Sequence, residues 1–153
     1  MQIDFSDKEF FRQLGATLNN ATWELIDKDE RSSEEDMKMI EMAHASCYFW
    51  TEFGSPLNVQ RGHWLVSRAY VCAKLPWPCL HHAKICMEIT ENHGLKDFDL
   101  AFAFEAMARA HSISGNETEK VAYLEKAKNA GEQIKDSEDK NIFFQELDRG
   151  PWI

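Results

Sequence analysis

Apolar residues recur at helical spacing along most of the chain, and no stretch alternates apolar and polar residues convincingly over the length of a strand. Residues that commonly cap, start or terminate helices separate these apolar stripes from one another. The pattern therefore predicts an all-α fold. The expected elements are about seven helices, over residues 6–27, 33–53, 56–75, 79–93, 98–114, 117–134 and 137–149.

Several helix boundaries depend on single residues. Ser6 and Ser33 are the expected N-caps of the first two helices, because a serine hydroxyl can accept a bond from a free N–H of the first turn. Pro76 and Pro78 predict a break between the third and fourth helices, since proline is excluded from a helix interior. We therefore expect the fourth helix to begin near Cys79.

The second half of the chain contains a recognisable helix–turn–helix unit. Residues 106–116 are rich in small side chains and end in a predicted turn at Gly115. Residues 121–127 are expected to form the second helix of the unit. This unit resembles the tetratricopeptide repeat, in which two helices cross at small residues. The resemblance implies that Ala108 and Ala127 lie at helix crossings. The chain is also similar to small bacterial helical-repeat proteins of unknown activity.

The resemblance implies a right-handed solenoid of helical hairpins that forms one domain over residues 1–153. Its expected parts, in chain order, are a degenerate N-terminal hairpin, a first repeat, a second repeat and a capping helix, over residues 1–54, 55–94, 97–135 and 137–149. In this architecture the first helix of each unit lines a concave groove, which implies a binding surface on that side.

Composition and charge exclude several classes of function. Hydrophobic residues make up 44% of the 153 residues, as in a globular protein, and the net charge of −9 argues against binding to nucleic acid or to an anionic membrane. The N-terminus does not resemble a signal peptide, and no apolar run approaches the ~20 residues of a membrane span. These features predict a cytoplasmic protein without a membrane anchor.

Residues 55–95 are locally basic, with four basic and two acidic side chains. The resemblance places six residues on the concave groove, namely Arg61, Trp64, Arg68, Phe102, Glu105 and Arg109. Guanidinium groups beside an indole suit a carboxylate, so we predict a non-catalytic scaffold that binds a protein or peptide, preferably an acidic one. The alternative is that these arginines pair with acidic side chains of the protein itself.

Two other functions compete with the scaffold. Cys79, His82 and Cys86 share one side of the fourth helix at a spacing that could present ligands to zinc, which would favour a metal-dependent enzyme. Buried, reduced thiols explain the cysteines more simply. A self-associating adaptor or sensor module is the third function, with a second copy of the chain as partner. Our prediction is a protein without enzymatic activity, metal or cofactor.

Overall fold

The structure is a computed structural model that describes residues 4–152. Within this range every regular element is an α-helix, and none combines the length and apolar character needed to cross a membrane. The helices are α1 (Lys8–Ile26), α2 (Ser33–Phe53), α3 (Pro56–Cys72), α4 (Pro76–Asn92), α5 (Phe98–Ile113), α6 (Glu117–Glu132) and α7 (Ser137–Asp148). The predicted all-α fold is confirmed.

Two N-caps differ from the prediction by one residue. Asp7, and not Ser6, caps α1, and its carboxylate accepts the Phe10 N–H at 3.0 Å. Ser32, and not Ser33, caps α2 in a reciprocal arrangement with Glu35. Neighbouring polar residues compete for the same capping position, so a sequence pattern locates such a helix start only to within a residue or two.

The start of α4 differs from the prediction by three residues. The helix begins at Pro76, three residues before the expected Cys79, and Pro78 also lies in its first turn. N–H groups of the first turn have no partner within the helix, so proline loses nothing there. The preceding helix ends earlier than expected, at Cys72, and Lys74 follows with a φ of 57°.

Each helix packs against its neighbours in the chain. The odd-numbered helices also contact one another in sequence, from α1 to α3, α3 to α5 and α5 to α7. Among residues 4–152 the even-numbered helices contact only helices adjacent to them in the chain. The odd-numbered helices therefore lie side by side in one layer, and α2, α4 and α6 pack against that layer.

The core is centred on α3 and α5, which bury most of their residues. Small side chains permit this, because alanines at five positions of α5 let neighbouring helices approach closely. Ala108 on α5 and Ala127 on α6 are both 0% exposed, as expected of residues at close helix contacts.

Gly131 of α6 lies directly under α7. A methyl group at this position would come within 2.6 Å of Cδ1 of Phe143, a ring that is 0% exposed and makes an edge contact with Phe102. We therefore expect Gly131→Ala to lower the free energy of unfolding by about 1–3 kcal/mol, because the ring cannot move aside without disturbing the core. Urea denaturation followed by circular dichroism measures the change.

Alanine in place of glycine inside a helix normally stabilises a protein. The control is Asn129→Ala, at an exposed position on the same helix, which should leave stability unchanged or raise it slightly. Equal stability of Gly131→Ala and the wild type would show that α7 does not pack tightly on α6.

Candidate functional site

A cavity of about 440 Å³ opens in the layer of odd-numbered helices. Its walls come from α1, α3, α5 and α7, with one further side chain from the end of α2. This volume falls in the range of ligand-binding pockets, ~300–1,000 Å³. The residues that line it are Asn19, Trp23, Asp27, Trp50, Gln60, Arg61, Trp64, Phe98, Asp99, Phe102, Ile142, Gln145, Glu146 and Arg149.

Aromatic rings form much of the cavity wall. Trp23 of α1 stacks on Trp64 of α3, with centroids 5.4 Å apart and an interplanar angle of 24°. Trp64 makes an edge contact with Phe102 at 5.3 Å, and Phe98 lies 4.6 Å from the same ring. Three helices thus build one continuous aromatic surface, which fixes the shape of the cavity because each ring packs on the next.

Ion pairs lie beside these rings. Arg61 binds Asp99 through two hydrogen bonds, of 2.9 and 3.4 Å, and its guanidinium lies over the Phe98 ring. Arg149 donates to Asp27 at 2.8 Å and to Glu146 at 3.1 Å. The cavity is therefore apolar in the middle, and its charged groups are already paired with one another.

The structure divides the six predicted groove residues into two groups. Arg61, Trp64 and Phe102 line the cavity. The other three are Arg68, Glu105 and Arg109, which are 3%, 0% and 1% exposed. These three are buried and none lines the aromatic cavity, because Arg68 and Arg109 bind Glu146 of α7 and Glu105 binds Trp64 and Arg109.

The buried arginines bind acidic groups of the protein itself. Arg68 pairs with Glu146 of α7 at 2.9 Å, and Arg109 pairs with Glu105 one helical turn away. Arg109 also donates to the main-chain carbonyl of Glu146 at 2.6 Å and lies 4.4 Å from the Trp152 ring. For all three arginines, including Arg61, the alternative of internal pairing describes the arrangement that the structure shows.

Eleven of the fourteen lining residues were not predicted as groove residues, among them Trp23, Trp50, Glu146 and Arg149. These four residues lie in or directly after α1, α2 and α7, helices that carry no repeat motif from which a binding position could be assigned. A signal was nevertheless present, because Asn19, Trp23 and Asp27 follow one another at intervals of four and so share one side of a helix. Glu146 could be recognised only from its contact with α3.

The cysteines and His82 of α4 have partners outside the proposed zinc group. The Cys79 Sγ lies 3.4 Å from the Ser67 hydroxyl, and His82 bonds to His63 through the two Nδ1 atoms at 3.0 Å. Burial raises the pKa of the Cys79 thiol to about 12 and also raises that of Cys86. Within residues 4–152, no group of three or more potential ligand side chains is arranged to hold a metal ion.

A histidine cluster lies between α2, α3 and α4. His44 of α2 bonds to the Tyr70 hydroxyl at 2.8 Å, and its ring makes an edge contact with His82 at 5.2 Å. Burial, together with a smaller effect of the neighbouring histidines, lowers the pKa of His63 and of His82 to about 4. The two imidazoles are therefore neutral at pH 7 and can share a hydrogen bond.

A second cavity has a basic lining, and four of its five cations, Lys28, Arg31, Arg68 and Arg149, bind groups of the protein itself. Arg31 pairs with Asp36 and donates to three main-chain carbonyls, including those at the C-terminal ends of α1 and α3. Lys28 pairs with Glu35, and Arg68 with Glu146. Arg31 therefore stabilises the C-terminal ends of α1 and α3, where free main-chain carbonyls attract a positive charge.

No protein-family model, curated protein or solved structure matches the chain. The resemblance to the tetratricopeptide repeat therefore stays a prediction.

Proposed function

We propose that the protein is a non-catalytic peptide-binding protein and that the aromatic cavity is its ligand site. The observation that carries the proposal is the convergence of Arg61, Trp64 and Phe102, three residues expected on a binding groove, with Trp23 around one open cavity. Concave aromatic pockets with a few polar groups are typical ligand sites.

The proposed architecture is a right-handed, tetratricopeptide-like solenoid. Contacts of α1 with α3, of α3 with α5 and of α5 with α7 are the neighbour relations expected for the inner helices of such an array. In this arrangement α7 covers one part of the concave face and leaves the cavity open beside it. A partner would therefore bind beside α7, where the cavity can accept one side chain of an extended or helical segment.

The experiment selects peptides from a random display library on the immobilised full-length protein. Synthetic versions of the selected peptides are then titrated by calorimetry into the wild type and into Trp23→Ala. Trp23 is suitable because it is partly exposed and makes no bond to the buried Glu105, in contrast to Trp64. We expect Trp23→Ala to weaken binding at least tenfold, as is typical when an aromatic anchor residue of an interface is removed.

Trp77→Ala is the matched control, because Trp77 is 78% exposed and lies on α4, which contributes nothing to the cavity. Equal affinities for Trp23→Ala and the wild type would place the binding site elsewhere. If no peptide is enriched above the level of an unrelated helical protein, the peptide-binding function is wrong.

Self-association is a second candidate function. The observation in its favour is a group of exposed aromatic residues on the N-terminal hairpin, where Phe10 and Tyr48 are each 55% exposed. Sedimentation analysis distinguishes the two functions. A concentration-dependent dimer that Phe10→Ser abolishes, and that Val121→Ser on α6 leaves intact, would favour self-association through this end of the molecule.

A further inference from the structure

We infer that the group accepted by the cavity is the uncharged aromatic side chain of a partner segment, and not an acidic one. This inference rests on the proposed function and specifies the ligand of the same site. Three observations carry it, namely the state of the charged groups, the use of the inner hydrogen-bond donors and the geometry of the rings.

The charged groups of the cavity leave little attraction for a carboxylate. Its lining has three carboxylates, from Asp27, Asp99 and Glu146, and two guanidiniums, from Arg61 and Arg149. Both guanidiniums already bind these carboxylates at 2.8–3.1 Å. Glu146 also binds Arg68, so all three carboxylates are matched by guanidiniums. An acidic ligand would have to break one of these pairs to gain a partner, whereas a basic ligand would meet the two arginines.

Several hydrogen-bond donors of the cavity wall also have partners within the protein. The Trp64 indole N–H donates to Glu105 at 2.8 Å, and the Trp50 indole N–H donates to the Arg12 carbonyl at 3.2 Å. The Gln60 amide, 1% exposed, donates to the Thr90 hydroxyl and to a main-chain carbonyl. A polar group pushed into this part of the cavity would lose its bonds to water without gaining new ones.

The ring geometry favours an aromatic side chain over an aliphatic one. The existing rings meet in stacked, tilted and edge-on pairs, and a further ring can join such an array with the same centroid spacing. Asn19 and Gln145 add side-chain amides to the lining, groups that can bond to the main chain of a bound segment. The site thus matches an aromatic residue presented by a peptide.

The test uses blocked amino acids as probes of the single side chain. The N-acetyl amides of tryptophan, phenylalanine, leucine, lysine and glutamic acid are titrated into the ¹⁵N-labelled full-length protein and followed by NMR. The indole N–H groups of the five tryptophans serve as reporters, each assigned by replacing that tryptophan. We expect the aromatic probes to shift the signals of Trp23 and Trp64 and to leave Trp77 unchanged, with affinities about threefold to tenfold above the leucine probe.

The variants Trp23→Ala and Trp77→Ala separate binding in the cavity from binding at the surface. The inference is supported if the aromatic probes no longer shift the Trp64 signal in Trp23→Ala but still shift it in Trp77→Ala. Tighter binding of the glutamate, lysine or leucine probe at the same signals would overturn it while leaving the peptide-binding function intact. If no probe shifts these signals but a library-selected peptide does, the inference again fails and the function stands. If the peptide fails as well, both are wrong.

Discussion

Glu105→Leu is expected to lower the free energy of unfolding by about 3–5 kcal/mol, because it leaves the guanidinium of Arg109 buried without its carboxylate. Glu105 is 0% exposed and binds both Arg109 and the Trp64 indole N–H. Leucine has most of the volume of the glutamate side chain and leaves little empty space. The loss of stability therefore reports the missing charge and hydrogen bonds. Urea denaturation at pH 7 gives the value.

The double variant Glu105→Leu with Arg109→Met tests this cause. Removing both charges should recover about 2 kcal/mol, since an apolar pair of similar size often replaces a buried ion pair without loss. Glu132→Leu provides the control, because its exposed pair with Lys140 should contribute nothing measurable. A double variant as unstable as Glu105→Leu alone would show that packing, and not the uncompensated charge, causes the loss.

Local signals predicted the helices well. The predicted start of α3 at Pro56 agrees with the structure, where Ser55 is the N-cap, and Gly94 and Gly115 adopt positive φ values just after α4 and α5. These features succeed because a cap or a turn depends on residues within a few positions of one another. The error at Pro76 has the same origin, because proline breaks a helix only when a full turn precedes it.

The candidate site was harder to predict, since it depends on contacts between distant parts of the chain. Arg68 was predicted to line the groove, but it is 3% exposed and pairs with Glu146, which lies 78 residues further on. Periodicity can show which face of a helix points inward, yet it cannot show which element covers that face. For this reason the contacts of Arg68 and Arg109 with α7 were not predicted.

Stability should fall as the pH is lowered from about 6.5 to about 4, because of the histidine cluster. His63 and His82 have a pKa of about 4 in the folded protein, lowered by burial from 6.5, the ordinary value expected in the unfolded chain. Within this window the unfolded chain binds protons that the folded protein does not, so stability is full above pH 6.5 and is lost as the pH falls. Below pH 4 these two groups cause no further loss.

The expected loss is about 1–3 kcal/mol for the pair, less than the full pKa shifts imply, because both rings are partly exposed to solvent. Urea denaturation at pH 7, 6, 5 and 4 measures it. His82→Gln should flatten the dependence, since it removes one titrating ring and the hydrogen bond to His63. His93→Gln, which alters a histidine outside the cluster, should leave the curve unchanged. If the unfolding free energy of His82→Gln falls with pH as steeply as that of the wild type, the pH dependence comes from other groups and not from the imidazole pair.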